Sequence, residues 1–168
     1  VRTLPAALTN ALREEGPEPL WLVHLETGGS PADLRYAAYD GDVVFGGSTW
    51  SARPVEVPDF ALENHSEAPT IELRIANADG YFDTLIAAGI TFGNRKVRIY
   101  RTDVSLVGAS SALTDALTET YFVEGFTRVH GWVVFRLRSI LAALEIEIPL
   151  RVVDRNTFPG IPDSTGLA

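Results

Sequence analysis

Asp59, Glu63, His65 and Glu67 gather three carboxylates and an imidazole into one short run. In an extended chain these odd-numbered side chains share a face, so the set has the geometry for a metal or an acid–base pair. A glycoside hydrolase would need two of the carboxylates roughly 5–9.5 Å apart. The same pattern equally describes a solvated acidic face before Ala68–Pro69, the commoner fate of clustered carboxylates. A second run, "NADGYFD" (77–83), offers Asn77, Asp79, Gly80 and Asp83 in an order loosely like a calcium loop. It lacks the later glutamate and the right glycine position, and reads better as a turn feeding a helix with Asp79 as cap.

The remaining reactive types lack a frame. His24 shares a strand face with Glu26, which points to a structural pair, since no Ser or Thr nucleophile accompanies it. His130 falls at a hairpin tip. "GASS" (108–111) has no strand–Ser–helix context for a nucleophile elbow. The chain contains no cysteine, which removes thiolate catalysis and Cys-ligated metal or iron–sulfur sites. No cofactor and no metal site is expected. Net charge is −8, the wrong sign for a nucleic-acid surface, where phosphate binding is driven by cations. The exception is "NRKVRIYR" (94–101). Its Arg95, Lys96, Arg98 and Arg101 suit an acidic partner surface or the ordinary wet face of a sheet, with Arg74 as a possible neighbour.

The elements that must hold these residues are mostly strands. Residues 3–15 read as a helix, with Thr3 as N-cap, Leu4, Ala7, Leu8, Ala11 and Leu12 on one face, and Gly16–Pro17 as its end. "PLWLVHLET" (19–27) is a strand with apolar residues on both faces, so both need cover. Residues 27–33 form a turn and 34–40 a strand. "DVVFGGSTWSA" (42–52) reads as a hairpin about Gly46–Gly47. "RPVEVPDF" (53–60) is extended, its prolines suiting an edge or corner. "APTIELRIANADG" (68–80) alternates, with Ile71, Leu73 and Ile75 to one side. Residues 81–90 give one or two helical turns, and 95–101 a strand with Val97 and Ile99 inward. Residues 102–118 are a patternless excursion. A second hairpin, 120–129 and 131–140, turns at His130–Gly131, and 141–153 alternates again.

The expectation is therefore mainly β: a barrel or sandwich domain over 17–153, an N-terminal helix in 1–16, one short internal helix, and a Pro/Gly-rich tail in 154–168. No apolar run reaches the roughly 18 residues of a membrane span, so no stable membrane insertion is expected. The apolar residues of the first segment are spaced rather than blocked, unlike a secretory signal.

The order of motifs resembles the lambda-like phage minor tail protein L family, the tail-tip hub proteins of siphophages and related tail-derived particles. The likeness starts at "PLWLVHLET" and runs through "VVFGGSTWSARPVEVPDFALENHSEAPTIELRIANADGYF" and "GNRKVRIYR". It continues from "YFVEGF" to "FRLRSILAALEIEIPLRVVDRNTFPG", so it spans Pro19 to Gly160. The resemblance implies a hub-type β-barrel domain in a virion or phage-like particle. It implies a structural role at the tail tip, a three-fold ring of copies, and neighbours among the distal tail tube-end protein, the central hub or fibre protein and the tape measure. Some family members carry an iron–sulfur cluster in a cysteine-bearing C-terminal domain; this chain has no cysteine, and the cluster does not transfer. On this reading Phe45, Trp50, Arg95, Lys96, Arg98, Arg101 and Phe158 are the interface candidates, because aromatics bury much area at little entropic loss. Trp50 as a core anchor is the competing expectation. Two other functions stay open: a tail-associated cell-wall hydrolase using Asp59, Glu63 or Glu67, and a receptor- or carbohydrate-binding module stacking on Trp21, Trp50 or Trp132.

Overall fold

The structure, a computed structural model, describes residues 4–13, 17–31, 33–57, 70–108 and 111–139. Nine strands and two helices appear among them: α1 (Ala6–Ala11), β1 (Pro19–Glu26), β2 (Asp33–Ala37), β3 (Val43–Phe45), β4 (Ser48–Ala52), β5 (Val55–Glu56), β6 (Thr70–Ala76), α2 (Tyr81–Ala87), β7 (Lys96–Asp103), β8 (Leu117–Val129) and β9 (Trp132–Ser139). The fold is mainly β, as the alternating segments require. The expected strand at 141–153 and the tail lie outside the described residues.

The strands form one mixed sheet in the order β3-β4-β2-β1-β7-β8-β9-β6-β5. All pairings are antiparallel except β2 with β4. The order closes on itself at β4 and β5, which are successive parts of one extended segment, with β3 paired on the outside of β4. Arg53 N donates to Ala37 O (3.0 Å), and Ala76 N donates to Pro54 O (2.9 Å). The segment thus leaves β2 and joins β6 within two residues, closing the sheet into a barrel. Arg53–Pro54 is the corner that the prolines announced.

Two cores result, back to back across β1. Odd-numbered Val23 and Leu25 face the barrel interior with Leu73, Ile75, Val97, Ile99, Val123, Val133, Phe135 and Leu137. Helix α2 seats Phe82 there, against Phe92 at 5.9 Å and Phe135 at 5.8 Å between ring centroids. Even-numbered Leu20 and Leu22 face outward, where the β3–β4 hairpin covers them with Val43, Phe45 and Trp50. Both faces of β1 are apolar because both are covered.

Helix α1 is shorter than its periodicity suggests. Its N-cap is Pro5, which offers no side-chain cap, and Thr3 lies outside the described residues. Leu8 and Ala11 are buried, while Leu4 and Leu12 are exposed. Six residues make less than two turns, too short for the whole apolar stripe to face one surface. The excursion after β7 contains two 3-10 turns, Val104–Leu106 and Leu113–Asp115, and folds back on the hairpin. There Gly108 N donates to Val44 O (2.9 Å), and Ser111 Oγ accepts from Gly46 N (3.2 Å). The loop thereby covers the outer edge of β3, which would otherwise present unpaired backbone.

Candidate functional site

The acidic run Asp59, Glu63, His65 and Glu67 lies outside the described residues. Within the other acidic run, each carboxylate is engaged. Asp79 Oδ1 accepts from Tyr81 N (3.2 Å), and Asn77 Oδ1 accepts from Phe82 N (2.9 Å). The N-cap of α2 is Gly80 and not the expected Asp79; with no side chain at the cap, Asp79 and Asn77 just before it accept the first amides, and Asn77 holds the more buried one. Arg53 grips Asp79 with two hydrogen bonds, 3.1 and 2.6 Å. Asp83 receives Asn77 Nδ2 (2.9 Å) and Arg128. No group of three or more metal-ligating side chains occurs among the described residues.

Arg53 is the hub of this corner. Its guanidinium also donates to Ala76 O (2.7 Å) and lies over the rings of Tyr36 (5.1 Å) and Tyr81 (5.5 Å). Burial is the largest single influence and opposes its charge, but the hydrogen bond to Asp79 and the favourable charge interactions with Asp79, Tyr36 and Tyr81 together keep its pKa above the ordinary value. In return, the Arg53 hydrogen bond holds the Asp79 carboxyl below its usual range. Burial drives the Tyr36 hydroxyl far above the usual phenol range, only partly offset by Arg53. These shifts belong to a structural clamp that ties the barrel closure to the start of α2.

Phe45 and Trp50 do not present a surface. They are 0% and 1% exposed, and Trp50 Nε1 donates to Phe45 O at 3.0 Å. Trp50 meets Tyr100 edge-on at 5.5 Å. The hairpin turns its aromatics inward because the outer face of β1 and β7 is apolar, so their role is core anchoring. As interface candidates these two are withdrawn.

The basic strip also divides. Arg98 NH2 lies 3.1 Å from Glu26 Oε1, and its NH1 lies 3.2 Å from His24 Nδ1. His24 is thus separated from Glu26 by Arg98, and its other nitrogen lies 3.1 Å from Asp33 Oδ1. Arg101 points to the other face of β7, stacked over Trp21 at 5.3 Å. Arg95 is exposed in the loop before β7 and Lys96 is half-buried. Arg74 is no neighbour of this group. It sits on β6, with β8 and β9 between it and β7, and pairs with Glu56 (3.5 Å) and Glu72 (3.7 Å). Phe158 lies outside the described residues.

What the sequence reading missed is a groove beside the corner. An open cleft of about 600 Å3 is lined by Ala38, Tyr39, Asp40, Ala52, Arg53, Pro54, Val55, Glu56 and Trp132. No histidine, serine or threonine lines it among the described residues. The prolines marked the corner, but the approach of Trp132 depends on β9 pairing with β6, which no local pattern reveals.

No protein-family model matches this chain, and no curated protein matches it. Among solved structures it is similar to a chain from the virion of a native gene transfer agent particle, with a TM-score of 0.58 and 15% identity. The match covers 85% of this chain and 47% of that one, so the chain spans about half the length of this structural neighbour. At this identity the likeness is one of fold.

Proposed function

We propose that the chain is a structural, non-enzymatic component of a phage-like tail tip or baseplate hub. It would join the distal tail tube to tip proteins through protein–protein contacts, with copies arranged in a three-fold ring. The observation that carries the virion part is the fold likeness to the gene transfer agent chain over most of this chain's length. The hub part rests on the ordered motif series from Pro19 to Gly160. The barrel suits such a role: among the described residues its strands are paired with neighbours except at the Arg53–Pro54 corner, and its polar clusters serve as clamps. Fold alone does not give function, so location decides. Electron microscopy of purified particles carrying a label on this chain should show the label at the distal end of the tube. Label elsewhere on the particle, or on no particle, sinks the hub reading.

The hydrolase reading is separable. Alanine at Asp59, Glu63 or Glu67 should leave cell-wall release unchanged, because the intact chain should release nothing. The stacking-module reading keeps one platform of three: Trp50 is buried and Trp21 lies under Arg101, whereas Trp132 lines the groove.

A further inference from the structure

The groove at the barrel corner has the makings of a strand-binding site. It opens because two strands part there. β4 follows β2 as far as Arg53 and Ala37, after which 38–41 bends away while β5 joins β6. Register fixes the backbone of β5. Pro54 O accepts from Ala76 N, and Glu56 stands opposite Arg74. Val55 lies between these two, so its N–H and C=O point to the other edge, toward the groove. They have no partner among the described residues.

The side chains add chemistry to that open edge. Tyr39 is 38% exposed and Trp132 half-buried, so two aromatics line the groove together with Ala38, Ala52 and Pro54. Charge is one-sided. Asp40 has no cation partner among the described residues. Glu56 shares only a loose, exposed contact with Arg74 at 3.5 Å. Arg53, the one cation on the lining among the described residues, is neutralised by Asp79. A helix could not use the free Val55 pair, whereas an extended chain could, reading side-chain pockets with alternate residues. Aromatic faces beside a carboxylate favour lysine or arginine on that chain.

We propose that this groove binds an extended, basic segment of a partner protein by strand addition to the free edge of β5. The groove exists whatever particle the chain serves, so segment binding and particle location are separate questions. The test is an NMR titration of the full chain with a blocked peptide of sequence Lys-Val-Arg-Val-Lys-Thr. Two control peptides are needed: one with Glu at every basic position, and one N-methylated at alternate amides. The basic peptide should bind saturably, shift the Val55 amide and the Trp132 indole, and slow exchange of the Val55 amide. Asp40→Lys should weaken binding at least about fivefold, since it replaces attraction by repulsion. Val55→Pro removes the free donor and leaves the bonds of Pro54 and Glu56 to β6 intact; it should weaken binding to a similar degree. Equal binding of either control peptide overturns the proposal on the unaltered protein, whether or not the variants fold. So does the absence of saturable binding. A Val55 amide already protected in the free chain overturns it too, by showing that the chain's own residues fill the edge.

Discussion

Asp79 shows how a chemically suggestive residue becomes structural. It sits in a run that could be mistaken for a metal loop, yet its oxygens are taken by Tyr81 N and by both terminal nitrogens of Arg53. The hydrogen bond from Arg53 is the main reason its pKa falls below the ordinary 3.8. A carboxyl with a lower pKa in the folded chain binds fewer protons there than in the unfolded chain. Its stabilisation is therefore complete above the unfolded value and lost as pH falls through the folded one. Asp79→Asn should lower stability at pH 7 by about 1 kcal/mol or less, because the carboxylate is half exposed. The gap between variant and parent should shrink as the pH falls below the ordinary carboxyl value of 3.8 and close once the pH is below the lowered folded-state value. Urea midpoints across that range check it; a gap that persists at the lowest pH would mean the charge is not the cause. The same residue marks what was legible in sequence. That Asp79 lies at the start of α2 follows from local spacing, though the cap itself is Gly80; Arg53, distant in sequence, reaches Asp79 only because the barrel closes there.

At the scale of elements, the β3–β4 hairpin carries the clearest local code. Gly46 and Gly47 have φ of +58° and +72°, the positive values that a two-residue turn between strands demands. The two glycines are not equivalent. A Cβ on Gly46 would come within 2.5 Å of the Leu113 side chain, whereas one on Gly47 meets nothing within 4 Å. Gly47→Ala should cost about 1 kcal/mol, the backbone penalty alone. Gly46→Ala should cost about 2–3 kcal/mol, because overpacking adds to the same penalty. Adding Leu113→Ala to Gly46→Ala should recover part of the difference; equal destabilisation by the two glycine variants would contradict the contact. The turn was legible because φ preference is a property of one residue. What covers it was not, since 102–118 has no periodicity and meets the hairpin through Gly108, Ser111 and Leu113 only once the chain has folded. The aromatic residues beside the turn were ambiguous for a related reason. An alternating strand shows which residues share a face, but not whether that face meets solvent, a partner or its own chain.

For the whole molecule, the closure through Arg53–Pro54 makes one cooperative unit of two cores. β1 belongs to both, with Leu22 in the outer core and Val23 in the barrel on adjacent residues. Local alternation revealed that β1 needs two covers, but a closed barrel needs the strand order, and only the non-local pairing of β5 with β6 supplies it. Cooperativity then has a testable consequence in the outer core. Trp50→Ala should remove about 3–5 kcal/mol, the range for deleting a large buried aromatic, and lower the melting temperature by on the order of 10 °C for a chain of this size. The loss should appear in a single transition rather than as separate melting of the hairpin, because the hairpin's apolar partners Leu20, Leu22 and Tyr100 lie on the same strands that wall the barrel. Coincident melting curves from far-ultraviolet circular dichroism and from the remaining tryptophans, Trp21 and Trp132, would bear this out. Trp21 packs against the barrel core and Trp132 lies on β9, so a far-ultraviolet change that precedes loss of the tryptophan signal would separate the cores and show the barrel to be stable without its outer hairpin.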